Sequence, residues 1–221
     1  MLFDIDGTLL RGAGPHHKQA LIEGIRQITG VETHLDGVAT SGMLDRDLIV
    51  HMLRASGYAH RRARAALRPI MNACERAYMC NCAPDLTTAV CAGASELLTE
   101  LARKGAVIGL VTGNLSGIGW KKLELAGLKR YFSLGAFAED GTTRTRLARI
   151  AWQRAQKAGL ITRGDPVTLI GDHMNDVEAA KANGFRAIAV ASGLTPAQEL
   201  AKSEPHMLVQ SLCDLDVTQL V

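Results

Sequence analysis

The sequence predicts an α/β fold: a Rossmann-like parallel sheet with helices on both faces, carrying an inserted all-helical unit. Three observations lead there. Four short segments are apolar along their whole length rather than alternating, as parallel strands covered on both faces are. Helical patterns closed by glycine separate most of them, which is the order of a doubly wound sheet. Between the first two strands, however, residues 13–87 show helical periodicity with no convincing strand.

The strand patterns fall at residues 1–6, 107–111, 167–170 and 186–190, each ending in glycine or small polar and acidic residues. Helical patterns at 92–103, 117–126, 146–157 and 176–183 are followed by Gly105, Gly127, Gly159 and Gly184. Within the insertion, helices are expected at 19–29, 45–56 and 60–80, between the breakers Gly12-Ala13-Gly14-Pro15 and Ala83-Pro84-Asp85. The chain thus divides into a core of residues 1–12 and 88–221 and a helical unit of 13–87. Only three residues precede Asp4, fewer than the five or six or so that a strand crossing a sheet uses. The first strand is therefore expected to be a stub or to begin upstream of Met1.

With 221 residues, 47% of them hydrophobic, the chain can bury a normal core. A net charge of +3 gives no argument for a nucleic-acid or membrane partner, though it suits an anionic substrate. No apolar run is long enough to span a membrane and no signal-peptide order opens the chain, so a cytoplasmic protein is expected. Cys74, Cys80, Cys82 and Cys91 cluster in sequence, but without zinc-type spacing or a nearby histidine they read as reduced thiols, like Cys213. Arg61-Arg62-Ala63-Arg64 reads as a solvated helix face. His16 and His17 are expected to be exposed, and Trp120 and Trp152 to pack.

Candidate functional residues gather where the strands end, which is where open α/β sheets place their sites. Asp4 and Asp6 close the first strand, and two carboxylates so near each other repel unless a cation or proton intervenes. Phe3-Asp4-Ile5-Asp6-Gly7-Thr8-Leu9-Leu10 resembles the first motif of the haloacid dehalogenase superfamily. Thr112-Gly113-Asn114 is similar to its second motif, and Gly171-Asp172-His173-Met174-Asn175-Asp176 to its fourth. The third motif departs from the pattern. Most relatives carry a lysine there, whereas residues 139–146 hold none. Arg144 is the candidate for the cation, with Arg146 as the fallback and a lysine such as Lys122 as a further alternative; arginine keeps the charge and changes the geometry.

The resemblance implies a hydrolase that takes a small phosphorylated metabolite and attacks it with Asp4, through an aspartyl phosphate, closest to phosphoglycolate phosphatase-like enzymes. It implies Mg²⁺ held by Asp4, the carbonyl of Asp6 and Asp172. Asp6 would act as general acid and base. Thr112, with the N–H groups of Gly113 and Asn114 near a helix start and with Arg144, would bind phosphate, and Asp176 would orient the third-motif cation. The helical unit would be a cap, with Arg46 in Gly42-Met43-Leu44-Asp45-Arg46 facing the substrate. A phosphomutase of the β-phosphoglucomutase type is the main alternative. A dehalogenase is disfavoured by Asp6, and a phospho-accepting signalling module by the acid pair, the insertion and the length.

Overall fold

The computed structural model describes residues 1–13, 15–35, 37, 38 and 40–220. Among them, six strands form one sheet: β1 (Leu2–Phe3), β2 (Gly109–Val111), β3 (Leu134–Ala136), β4 (Thr168–Gly171), β5 (Arg186–Val190) and β6 (Met207–Val209). Their order is β3-β2-β1-β4-β5-β6 and every neighbouring pair is parallel. The chain therefore reverses direction across the sheet on the two sides of β1, and the crevice at its carboxyl end is the topological switch point. Strand β1 spans two residues of this chain. They are held because the pairing runs past both ends: Gly109 N–H donates to Met1 O at 2.9 Å and Asp4 N–H to Ile170 O at 3.0 Å.

Successive residues of each central strand face opposite sides, and both sides are buried. Phe3, Leu110, Ile170 and Ile188 meet Leu97, Leu98 and Leu101 of α4 (Ala94–Arg103). Leu2, Val111, Leu169 and Ala187 meet Leu147 and Ala151 of α6 (Arg144–Lys157) and Val177 and Ala180 of α7 (Met174–Ala182). Trp120 and Trp152 pack against Phe137 and Phe185, with centroids 5.5 and 6.3 Å apart. Each predicted helix is present, its ends within about three residues of expectation. Strands β3 and β6 and helix α8 (Ala197–Lys202) were not legible. Leu134-Gly135-Ala136 is no apolar run, and β6 is an edge strand only half buried.

Helices α1 (His16–Thr29), α2 (Asp45–Ala55) and α3 (His60–Asn81) lie between β1 and β2 in sequence. Of the expected turn before α1, Gly14 lies outside the described residues. The apolar faces of these helices, with Ile25, Ile49, Met52 and Tyr78, continue the core that covers the α6 and α7 side of the sheet. Arg61, Arg62 and Arg64 are exposed on α3, as a solvated face requires. All five cysteines are free; burial raises the Cys74 thiol to about 12, which leaves it a packing residue. No described helix is long and apolar enough to cross a membrane.

At Gly24 of α1 a Cβ would collide with Cys74 Sγ on α3 and come to 2.5 Å from the Cys74 backbone nitrogen. Gly24→Ala sets a helix-propensity gain of about 1 kcal/mol against an overpacking cost of about 1–3 kcal/mol. Because the obstacle is backbone rather than a flexible side chain, overpacking wins. The variant is expected to lower the urea midpoint, and an unchanged or raised midpoint would contradict this packing.

Candidate active site

Asp4 and Asp172 stand just past the carboxyl ends of the neighbouring strands β1 and β4, and both are 4% exposed. Asp176, in the first turn of α7, is 2% exposed. One oxygen from each of these three carboxylates lies within 4.8 Å of the others. Into this cluster reaches Arg144, the first residue of α6. Its Nη1 donates to Asp4 Oδ1 and to Val111 O, both at 3.0 Å. Its Nε is 3.3 Å from Asp176 Oδ1 without hydrogen-bond alignment, so both atoms lack a hydrogen-bond partner. Thr143 caps α6, accepting from Arg146 N–H, and so sets where the helix begins. Arg146, the alternative cation, is exposed.

Three buried carboxylates beside one guanidinium leave an excess of negative charge. Burial, and then the charge of Asp4, push the Asp172 carboxyl from 3.8 up to about 7. Burial also raises Asp176 well above its ordinary value, although Arg144 opposes it. Backbone closes around the cluster: a side chain at Gly7 or Gly193 would collide with the Asp172 carboxylate, and one at Gly171 with Asp176. Thr8 donates to Asp172 Oδ1 at 3.2 Å. An all-oxygen, doubly anionic pocket with an orphaned carboxylate oxygen fits a hard divalent cation. His173 does not join this donor set, because its Nδ1 accepts from Asn175 N–H at 3.1 Å and caps α7.

Asp6 goes elsewhere. Its carboxylate accepts from Lys122 Nζ at 2.8 and 2.7 Å and from Asn114 Nδ2 at 2.7 Å. The Asp6 side chain is 44% exposed, and Lys122 and then His17 hold its carboxyl below the usual range. Thr112 is fully buried and its Oγ1 accepts from Asn114 Nδ2 at 2.8 Å. Asn114 thus spends its side chain on Asp6 and Thr112, and its N–H turns back to Thr112 Oγ1 at 3.3 Å.

The first N–H groups of α5 (Ser116–Leu125) are taken by carboxylates. Leu115 N–H donates to Asp45 at 2.7 Å, Gly117 N–H to Glu75 at 2.6 Å and Ser116 N–H to Glu139 at 3.2 Å. Gly113 and Asn114, whose N–H groups are the expected phosphate donors, line the cavity itself. Arg46 does not face the site: it donates to Gly141 O at 3.2 Å and lies 3.6 Å from Asp47. Gly113 meets the insertion through its carbonyl, which accepts from Asp45 N–H at 2.8 Å.

Sequence reading missed His17 and Asp45 in this site and held Lys122 only as a further alternative for the phosphate-binding cation. Lys122 is 2% exposed and shares a helix face with Ile118, one turn earlier. A lysine on an apolar face was the available signal, since buried lysines are rare unless paired. His17 Nδ1 is 3.0 Å from Lys122 Nζ and its Nε2 2.9 Å from Asp45 Oδ2. With Asp4, Asp6, Thr112, Arg144 and Asp172 these residues line a cavity of about 370 Å³ between sheet and insertion.

A family model of haloacid dehalogenase-like hydrolases matches residues 1–184. The chain belongs to that family. It is 26% identical over 216 residues to a phosphoglycolate phosphatase of Pseudomonas fluorescens, covering 96% of this chain and 76% of that protein. A phosphoglycolate phosphatase of Escherichia coli is 26% identical over 121 residues, which span 55% of this chain and 47% of the relative. Among solved structures, a β-phosphoglucomutase from Clostridium difficile superposes with a TM-score of 0.70 at 16% identity, over 99% of this chain and 93% of the other. One described as a predicted phosphatase from Clostridium acetobutylicum also gives 0.70, at 20% identity over 99% and 96%. These structural likenesses establish the fold.

The raised Asp172 carboxyl has a signed consequence. Folded protein keeps a proton there that the unfolded chain releases near 3.8, so this contribution to stability is lost as pH rises from there to about 7. A divalent cation that displaces the proton should therefore raise the Tm of chelator-treated protein more at pH 7.5 than at pH 5. An equal magnesium shift at both pH values would separate the cluster from metal binding.

Proposed function

We propose that this hydrolase is a phosphatase acting on a small phosphate monoester, with Asp4 as nucleophile. The observation that carries the reading is Asp4 itself: a buried carboxylate fixed by Arg144 among Asp172 and Asp176, lining a cavity of about 370 Å³. The relatives named phosphoglycolate phosphatase support a small anionic ester as substrate. Residues 13–87 would serve as the cap that excludes water and limits substrate size.

Asp4 would attack phosphorus, forming an acyl phosphate while the bond to the leaving oxygen breaks; Asp6 would give that oxygen its proton. Asp6 would then take a proton from a water that attacks the acyl phosphate, releasing inorganic phosphate and restoring Asp4. Mg²⁺ held by Asp4, Asp172 and the Asp6 carbonyl would offset the negative charge that meets as carboxylate approaches phosphate. Arg144 restrains the Asp4 carboxylate and adds positive charge beside the transferred group, and Asp176 restrains Arg144. Thr112 would donate its hydroxyl hydrogen to a phosphate oxygen.

Asp4→Asn should abolish phosphate release from small esters with the fold retained, because an amide cannot attack phosphorus; activity in that variant would remove the nucleophile assignment. Chelation should stop turnover and Mg²⁺ restore it.

Arg144→Ala removes a charge-assisted contact of about 2–4 kcal/mol, so turnover should fall at least ~30-fold. Arg146→Ala, on the exposed face, should change it little. Arg144→Lys separates charge from shape: recovery means the charge suffices, and none means the fork that spans Asp4 and Asp176 is required. Equal activity in all three variants would take Arg144 out of the reaction.

A further inference from the structure

His173 lines the cavity between sheet and insertion, and the scheme above gives it no role there. Its Nδ1 accepts from Asn175 N–H at 3.1 Å, so that nitrogen holds a lone pair and the ring's single hydrogen sits on Nε2. The ring is fixed from a second direction. Gly42 of the insertion packs on its Nδ1–Cε1 side, where a Cβ would come to 2.5 Å from both atoms. Asn175 Nδ2 donates to Gly42 O at 3.0 Å and holds that contact in place. Among the described residues nothing accepts from Nε2. The ring is half-buried rather than sealed, so the hydrogen is left to whatever the cavity holds.

Position decides which part of an ester meets this hydrogen. The transferred phosphate belongs at Asp4, where Arg144 and Thr112 are the expected donors. His173 stands instead where the insertion closes over the cavity, beside Gly42 and with the hydroxyl-bearing Thr40 and Ser41 on the same wall. It also follows Asp172 directly in the chain, so the acceptor it meets belongs to a short group attached close to the phosphate. A fixed N–H without a protein partner favours a ligand that can accept from it and penalises one that cannot.

We propose that His173 is a substrate-binding residue that selects esters carrying an oxygen acceptor, a carboxylate or a hydroxyl, on the carbon next to the ester carbon. This rests on the phosphatase reading of the cavity and names the feature of the substrate that the site reads.

The test compares phosphoglycolate, hydroxyethyl phosphate and ethyl phosphate, two-carbon esters of similar size, with the full chain and Mg²⁺. The unmodified chain should favour the two acceptor-bearing esters over ethyl phosphate by at least about tenfold in kcat/KM. In His173→Asn the amide oxygen replaces Nδ1 and asparagine is a favoured cap, so the start of α7 and Asp176 stay in place while the Nε2 hydrogen is lost. The preference should then shrink to about threefold or less, chiefly through a raised KM for the acceptor-bearing esters. His173→Gln does the reverse: its amide N–H reaches the place of Nε2 and the cap is lost. Its overall activity should drop while its preference stays well above that of His173→Asn.

An undiminished preference in His173→Asn would overturn the assignment. So would an equal loss for all three esters, which would tie the ring to the transferred phosphate or to the fold, or a preference lost as fully in His173→Gln. An unmodified chain that hydrolyses all three alike would refute the selection and leave the phosphatase reading standing. Hydrolysis of none of them would fail the phosphatase reading itself.

Discussion

Three carboxylates buried within 4.8 Å of one another beside a single guanidinium set the terms for the rest of the molecule. Charge taken out of water is expensive, and a buried cluster of this kind contributes little net stability. Stability has to come from elsewhere, and the sheet supplies it by burying both faces, Phe3 and Ile170 on one side and Leu2 and Leu169 on the other. The parallel topology brings the ends of β1 and β4 side by side, so Asp4 and Asp172 are fixed by strand register rather than by flexible loops. Gly7 and Gly193 let the backbone close on the Asp172 carboxylate where any side chain would intrude.

Asp4 and Asp6 are two residues apart, yet they occupy different electrostatic surroundings. Asp4 shares its cation with Asp176 in a space crowded by negative charge. Asp6 has an ammonium bound to both of its oxygens and an amide on one of them. Two identical groups held apart in this way can take two jobs, one as a fixed carboxylate and one as a proton carrier. The division needs residues from β1, α5 and α6 together.

Legibility in the sequence followed how local the cause was. Residues 186–190 form a strand because an unbroken apolar run has no other place than a sheet buried on both faces, and the strand came out where it was read. Asp4, Asp172 and Arg144 were readable because each sits at a strand end or helix start that its own neighbours define. Arg144 in particular stands just before the 146–157 helical pattern, and Thr143 caps that helix in the structure. Lys122, His17 and Asp45 meet across 28 and 105 residues of sequence separation, through contacts between insertion and core that no local pattern announces. Arg46 stayed open between a substrate anion and a surface acid for the complementary reason. It was placed by analogy of segment, but whether a side chain on α2 faces the cavity or Gly141 depends on how the helix is rotated, which only packing decides.

The carboxylates of Asp45, Glu75 and Glu139 on the opening N–H groups of α5 carry a kinetic meaning. Asp45 and Glu75 come from the insertion, so lifting it from the core exposes donors that a phosphate group could then occupy. Charge-assisted hydrogen bonds of this kind are worth about 1.5–3 kcal/mol each, so they hold the insertion against this helix end. Under the proposed function, an arriving phosphate group and the molecule's own carboxylates would compete for that end, and the lifetime of an opened form would cap the rate at which ester is admitted and phosphate discharged.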